Sequence, residues 1–180
     1  TLQQEAARKL GFTVSQTMMV AQHLYENGRI TYMRTDSVNL SSLALNTSKT
    51  EITQLFGTEY SHPRNYHTRA KGAQEAHEAI RPTYISETSI EGTAQERRLY
   101  ELIWKRTAAS QMTDAEIEKT TVTIDVSGAD EKFIANGEVT VFDGFLKVYR
   151  ESTDEDDNNP QDDFSHILPK LAKGDCLNRR

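Results

Sequence analysis

Tyr32, Arg34 and Asp36 are the residues whose types and spacing suit catalysis. They stand in the stretch Gly28-Arg29-Ile30-Thr31-Tyr32-Met33-Arg34-Thr35-Asp36-Ser37. In an extended segment side chains alternate between two faces, so Ile30, Tyr32, Arg34 and Asp36 share one. A tyrosine hydroxyl is a poor nucleophile at neutral pH, since its reference pKa is about 10. It becomes useful when a neighbouring cation steadies developing negative charge. Arginine suits a phosphate electrophile, because its planar fork matches two phosphate oxygens. The alternation suggests a tyrosine poised over a phosphodiester. The same spacing also occurs on ordinary strands with one solvated face.

A second stretch is Gln74-Glu75-Ala76-His77-Glu78-Ala79-Ile80-Arg81-Pro82-Thr83. A His-Glu-x-x-His zinc motif fails here, because Arg81 stands where the second His would be. Read as a helical turn, the stretch puts His77 and Arg81 on one face. Pro82 disfavours the α conformation at Arg81, so the turn is expected to fray there.

The string Ile30-Thr31-Tyr32-Met33-Arg34-Thr35-Asp36-Ser37 resembles the active-site signature of the type IA DNA topoisomerases, on their bacterial branch. The string around His77 resembles a second motif of that family, in the family's order. The resemblance implies that Tyr32 attacks a phosphate of single-stranded DNA, leaving a 5′-phosphotyrosyl link and a free 3′-hydroxyl. Because the link stores the bond energy, resealing and relaxation would need no ATP. Arg34 would assist the attack, and His77 would contact the scissile region. Arg34, His77 and Arg81 would be the DNA-binding residues. Asp36 is expected to tether Arg34 or cap the next helix. The family also uses a Toprim domain whose acidic cluster binds Mg²⁺, and this would be the partner domain in the parent protein. No residue here is assigned to metal. Asp154-Glu155-Asp156-Asp157 reads as a solvated loop instead. The chain is therefore expected to be inactive alone. The implied location is the bacterial cytoplasm, at the nucleoid.

Composition is compatible with this. The chain has 180 residues, 36% of them hydrophobic, and a net charge of −6. Residues 1–113 carry +2 and residues 114–180 carry −8, so the acidity is confined to the C-terminal third. Charge clustering matters more than the sum for a nucleic-acid partner. No apolar run reaches the length of a membrane span. The N-terminus reads as neither a signal nor a transit peptide, and it lacks an initiator Met, which suggests a piece of a longer protein. The single cysteine, Cys176, excludes an internal disulfide and a Cys-based zinc site, as suits a reducing compartment.

The elements that must position these residues follow from periodicity and punctuation. A helix over 2–10 ends at Gly11. Ser15 would cap a second helix reaching about Asn27, with Met18, Ala21, Leu24 and Tyr25 as its buried stripe. The Met18-Met19 pair reads as core filling. Two helices followed by an extended segment resemble a helix-turn-helix with a wing. Ser41 or Ser42 opens a third helix to Phe56, ended by Gly57, with Leu45, Ile52, Leu55 and Phe56 inward. Residues 58–72 read as a loop. His62, Arg64, His67, Arg69 and Lys71, interleaved with Tyr60 and Tyr66, suit a solvated loop or a grip on single strands. Thr93-Ala94-Gln95-Glu96 is a capping box for a helix to about Met112, with Trp104 packing. Strands follow at 121–126, 132–141 and 145–149. Residues 151–163 read as an acidic loop, with short strands at 165–168 and from 175.

The fold class is α+β. A helical domain over 1–113, with a winged-helix-like element, would carry the tyrosine, and a β-rich arch segment over 114–180 would follow. A non-enzymatic winged helix-turn-helix DNA-binding module is the alternative. It explains residues 1–40 but leaves the His77 motif and the β-rich tail unexplained. A domain that only contacts other parts of its parent is a third reading.

Overall fold

Gly11 takes φ 69° and ends the first helix, α1 (Leu2–Leu10), its N–H donating to the Ala7 carbonyl and the Phe12 N–H to that of Ala6. The computed structural model describes residues 1–66, 77–128, 130–150 and 174–176. The second helix, α2, spans Val14–Glu26 and is capped by Thr13, whose hydroxyl accepts the Gln16 N–H. Ser15 lies inside the first turn instead, because Thr13 already has the extended backbone a cap requires. The buried stripe of α2 is Thr17, Val20, Ala21 and Leu24. Met18 is half-buried and Tyr25 exposed, so the stripe is rotated from the one the apolar residues suggest. Thr17 can face inward because its hydroxyl donates to the Thr13 carbonyl.

Helix α3 (Ser42–Phe56) is capped by Ser41, and Ala44, Ser48 and Ile52 face inward. Leu55 is 46% exposed rather than inward, since the small side chains at 44 and 48 set the buried face. Helix α4 (Ala94–Ser110) opens with the expected Thr93–Glu96 capping box. Leu99, Tyr100, Ile103, Trp104 and Ala108 are buried on it, and it packs against α1 and α2 as the centre of the core. The Trp104 indole N–H donates to the Ile85 carbonyl at 2.7 Å, and the Tyr100 hydroxyl to that of Glu87 at 2.6 Å. These bonds lay residues 85–87 onto α4.

The chain divides into two compact units: Thr1–Asp114 with the segment from Gly144, and the intervening Ala115–Asp143. In the first, residues 145–149 do not form the expected strand. Gly144, at φ 48°, starts a 3-10 turn over Gly144–Lys147. A Cβ at Gly144 would stand 2.5 Å from the Asp114 carbonyl oxygen, so the turn needs glycine for room as well as for φ. The Tyr149 hydroxyl beyond it donates to Glu5, and Arg106 donates to that hydroxyl at 2.9 Å.

The second unit is an antiparallel hairpin, β1 (Glu116–Asp125) and β2 (Lys132–Phe142), longer than the period-two runs suggest. Thr121 bonds Asn136 across it, and Lys119 pairs with Glu138 at 2.8 Å.

A paired-strand wing does not follow α2 among the described residues. Ile30 makes one antiparallel bridge to Pro82, and residues 31–40 run on without sheet pairing. The readings of 151–163 and 165–168 lie outside the described residues, as do His67, Arg69 and Lys71.

Candidate active site

The site begins where α2 stops. The Gly28 N–H donates to the Tyr25 carbonyl and the Arg29 N–H to that of Leu24, both at 2.8 Å. With Gly28 at φ 66° this is a Schellman closure, which turns the chain sharply back beside its own helix. Ile30 is buried just after the turn and anchors it. From there exposure alternates: Tyr32 exposed, Met33 buried, Arg34 exposed, Asp36 exposed and Ser37 buried. Ile30 thus leaves the face it was expected to share, while Tyr32, Arg34 and Asp36 stay on the open side.

The second motif forms no helix over residues 77–83. Pro82 pushes Arg81 to an extended backbone, and residues 77–83 run as a strap alongside residues 29–41. The Thr83 N–H donates to the Arg29 carbonyl, and the Ala79 N–H to that of Asn39. Thr31 is the clasp. Its hydroxyl donates to the Ala79 carbonyl at 2.7 Å and accepts the Arg81 N–H at 2.9 Å. The Glu78 carboxylate accepts the Ser41 N–H at 2.7 Å and takes the Arg81 guanidinium on both oxygens. Burial opposes ionisation of Glu78, but the bonds from Arg81 and Ser41 outweigh it and hold its carboxyl below the usual value.

The strap delivers His77 to Tyr32. Their ring centroids are 6.3 Å apart and edge-on. Tyr25 meets Tyr32 in another edge contact, at 5.2 Å. Tyr32 therefore touches one aromatic ring from α2 and one from the strap, yet stays 40% exposed. Tyr32 and Arg34 border an open groove of about 570 Å³ along α2, with Met18, Met19, Gln22 and Glu26 on its other side. Met18 packs against the core, as expected, and also borders the groove. Met19 is 54% exposed.

The cations differ in what they have left to offer. Among the described residues Arg34 has no hydrogen-bond or ion-pair partner. The Arg81 guanidinium is engaged by Glu78 and by the Pro82 and Thr83 carbonyls. Asp36 neither pairs with Arg34 nor caps α3, whose cap is Ser41. In the 58–72 loop Arg64 pairs with Asp114 at 2.8 Å and donates to the Met112 carbonyl. The Tyr66 hydroxyl bonds the Ser110 carbonyl. This part of the loop is fastened to the end of α4. Gln22 and Glu26 lie outside both motifs, and the motifs give Tyr25 and Thr31 no role at the site. The i, i+4 spacing of Met18, Gln22 and Glu26 was the available signal for a common face.

Comparison with known proteins bears on what such a site belongs to. The DNA topoisomerase family model matches residues 1–180. The chain belongs to the DNA topoisomerase family. It is 51% identical to DNA topoisomerase 1 of Streptomyces coelicolor over 98% of its own length and 19% of that protein's. Against DNA topoisomerase 1 of Zymomonas mobilis the identity is 48%, over 98% of this chain and 15% of the relative. The full-length topoisomerase I structure from Thermotoga maritima matches at TM-score 0.70 and 39% identity, covering 84% of this chain and 26% of that one. This topoisomerase chain thus spans about 19% of the length of the first of these relatives. Among its described residues no helix is long and apolar enough to cross a membrane.

Proposed function

We propose that this chain supplies the nucleophile of a type IA DNA topoisomerase. The Tyr32 hydroxyl attacks a backbone phosphorus of single-stranded DNA. The Tyr32 O–P bond forms as the bond from phosphorus to the 3′-oxygen breaks. The phenol loses its proton and the leaving 3′-oxygen gains one, giving a 5′-phosphotyrosyl link and a 3′-hydroxyl. The reverse attack by that hydroxyl reseals the strand. Between the two steps another strand passes, so negative supercoils relax without ATP.

The observation that carries the reading is the placing of Arg34. It stands two residues from an exposed Tyr32, on the same groove, with no partner among the described residues. A guanidinium in that position can take up charge as the phosphate becomes crowded. His77, edge-on to Tyr32, is placed to hydrogen-bond a phosphate oxygen or orient the strand. Arg81 holds the strap through Glu78, and the part of its guanidinium not taken up by Glu78 and the Pro82 and Thr83 carbonyls is what it has left for a DNA phosphate.

Mg²⁺ is assigned to the Toprim domain of the parent protein. Among the described residues no group of three or more His, Cys, Asp or Glu side chains gathers to hold a metal, and no step above passes through one. The remaining domains of the parent are the protein partners, and the bacterial cytoplasm, at the nucleoid, is the location. The winged-helix alternative gains no support from α2, which carries no Lys or Arg. The test is denaturant trapping of the full-length enzyme on a labelled single-stranded oligonucleotide. The wild type yields a covalent adduct and Tyr32→Phe yields none. A normal adduct yield from Tyr32→Phe overturns the assignment.

A further inference from the structure

The groove beside Tyr32 has walls that the transesterification itself does not use. Its volume of about 570 Å³ lies within the roughly 300–1,000 Å³ usual for small-molecule sites. We propose that it seats the base of the nucleotide immediately 3′ of the scissile phosphate, the one Tyr32 holds by its 5′-phosphate. The proposal rests on Tyr32 being the nucleophile.

Continuity is the first argument. Tyr32 and Arg34 are themselves walls of the groove, so a phosphate joined to Tyr32 stands at its edge. The nucleoside attached to that phosphate therefore starts beside the groove. The second argument is the chemistry of the α2 wall. Met18 and Met19 present two polarizable, unbranched thioethers, which contact flat aromatic rings favourably and adapt to rings of different size. Such a wall suits a purine or a pyrimidine ring. Charge is the third. Gln22 donates to Glu26 at 2.7 Å, so the same wall carries a carboxylate. That charge disfavours a phosphate at the α2 wall, across from Arg34, and leaves the base as the part of the strand that meets this wall. A seated base holds the severed end still, keeping its 5′-phosphate in line for the returning 3′-hydroxyl.

The experiment compares two labelled single-stranded oligonucleotides, each with one cleavage site, in the full-length enzyme. They are identical except that one has an abasic sugar immediately 3′ of the scissile phosphate. Single-turnover adduct formation is expected to be about fivefold slower on the abasic strand, as lost thioether–ring contacts imply. In Met18→Ala/Met19→Ala the intact strand slows to the abasic rate, and the ratio collapses toward one. Equal rates on both strands in the wild type overturn the proposal, as does an unchanged ratio in the double variant. Failure of the nucleophile assignment is read separately, as an adduct that survives Tyr32→Phe.

Discussion

Thr31 and Arg81 are bonded to each other through backbone and side chain, the Thr31 hydroxyl reaching the Arg81 carbonyl at 3.4 Å. The Thr31 N–H donates to the Arg81 carbonyl at 2.9 Å, and the Arg81 N–H donates to the Thr31 hydroxyl at 2.9 Å. The residue before the tyrosine thus holds the strap that carries His77 by gripping Arg81, fifty positions further along the chain. Thr31→Val keeps the shape and removes the hydroxyl. It leaves the Arg81 N–H and the Ala79 carbonyl without that partner, at a cost of about 1 kcal/mol for this half-buried site. Adduct formation by the full-length enzyme should slow on the order of tenfold as His77 loses its placement. Urea unfolding and single-turnover cleavage check the two halves. A lowered stability with an unchanged cleavage rate contradicts the positioning role.

Glu78 gives the clasp a pH dependence. Its carboxyl is held below the usual value in the folded chain, so its stabilising share is present above pH ~4.5. That share is lost as pH falls through the lower folded value. The urea midpoint of the chain should therefore drop on acidification below pH ~4.5. Glu78→Gln should start lower at neutral pH and drop less. Parallel pH profiles for the two proteins would show that Glu78 is not the titrating group.

Arg34 and Arg81 should behave differently under the same change. Arg34→Ala should slow cleavage on the order of 10²-fold, by analogy with removal of an oxyanion donor, with no loss of fold. Arg81→Ala should lower stability and slow cleavage less, because it frees Glu78 and removes only the part of a guanidinium left over for a phosphate. Single-turnover rates and thermal unfolding, measured together, separate the two.

The 180-residue chain alone should relax no supercoiled plasmid at any Mg²⁺ concentration. The leaving 3′-oxygen needs a proton, and the carboxylates near the tyrosine have other positions or partners. Among the described residues Asp36 is exposed, Glu26 accepts from Gln22, and Glu78 is bonded to Arg81 and Ser41. Members of a catalytic constellation act as a unit, so a missing part costs orders of magnitude. The control is the Tyr32→Phe chain, which exposes host contamination. Relaxation by the wild-type chain and not by this control contradicts the expectation.

Much of the site was legible because its information is local. The Tyr32–Arg34 alternation and the Asn27-Gly28 closure depend on neighbours in sequence, and both appear as read. The capping box at Thr93 is local in the same way. What was missed depends on partners far along the chain. Tyr25 seemed part of an apolar stripe, yet it lies outside because Thr17 can bury its hydroxyl against the Thr13 carbonyl. The bonds from Arg81 to Glu78 and to the Pro82 and Thr83 carbonyls are likewise absent from the motif, since they form only in the folded strap. Residues 145–149 alternate like a strand, yet Gly144 curls them back to pack by Thr113. Periodicity does not encode which groups a folded neighbour will supply.

The most direct measurement of the central claim is the chemical identity of the residue that carries the DNA. The full-length enzyme is denatured during cleavage of a short single-stranded oligonucleotide, then digested with trypsin and nuclease. Cuts after Arg29 and Arg34 release residues 30–34, which contain a single tyrosine, Tyr32. Mass spectrometry should find this peptide carrying a nucleotide through its phosphate, with a free 3′-hydroxyl on the released strand. A nucleotide on any other peptide, including the one that contains Tyr25, would contradict the account.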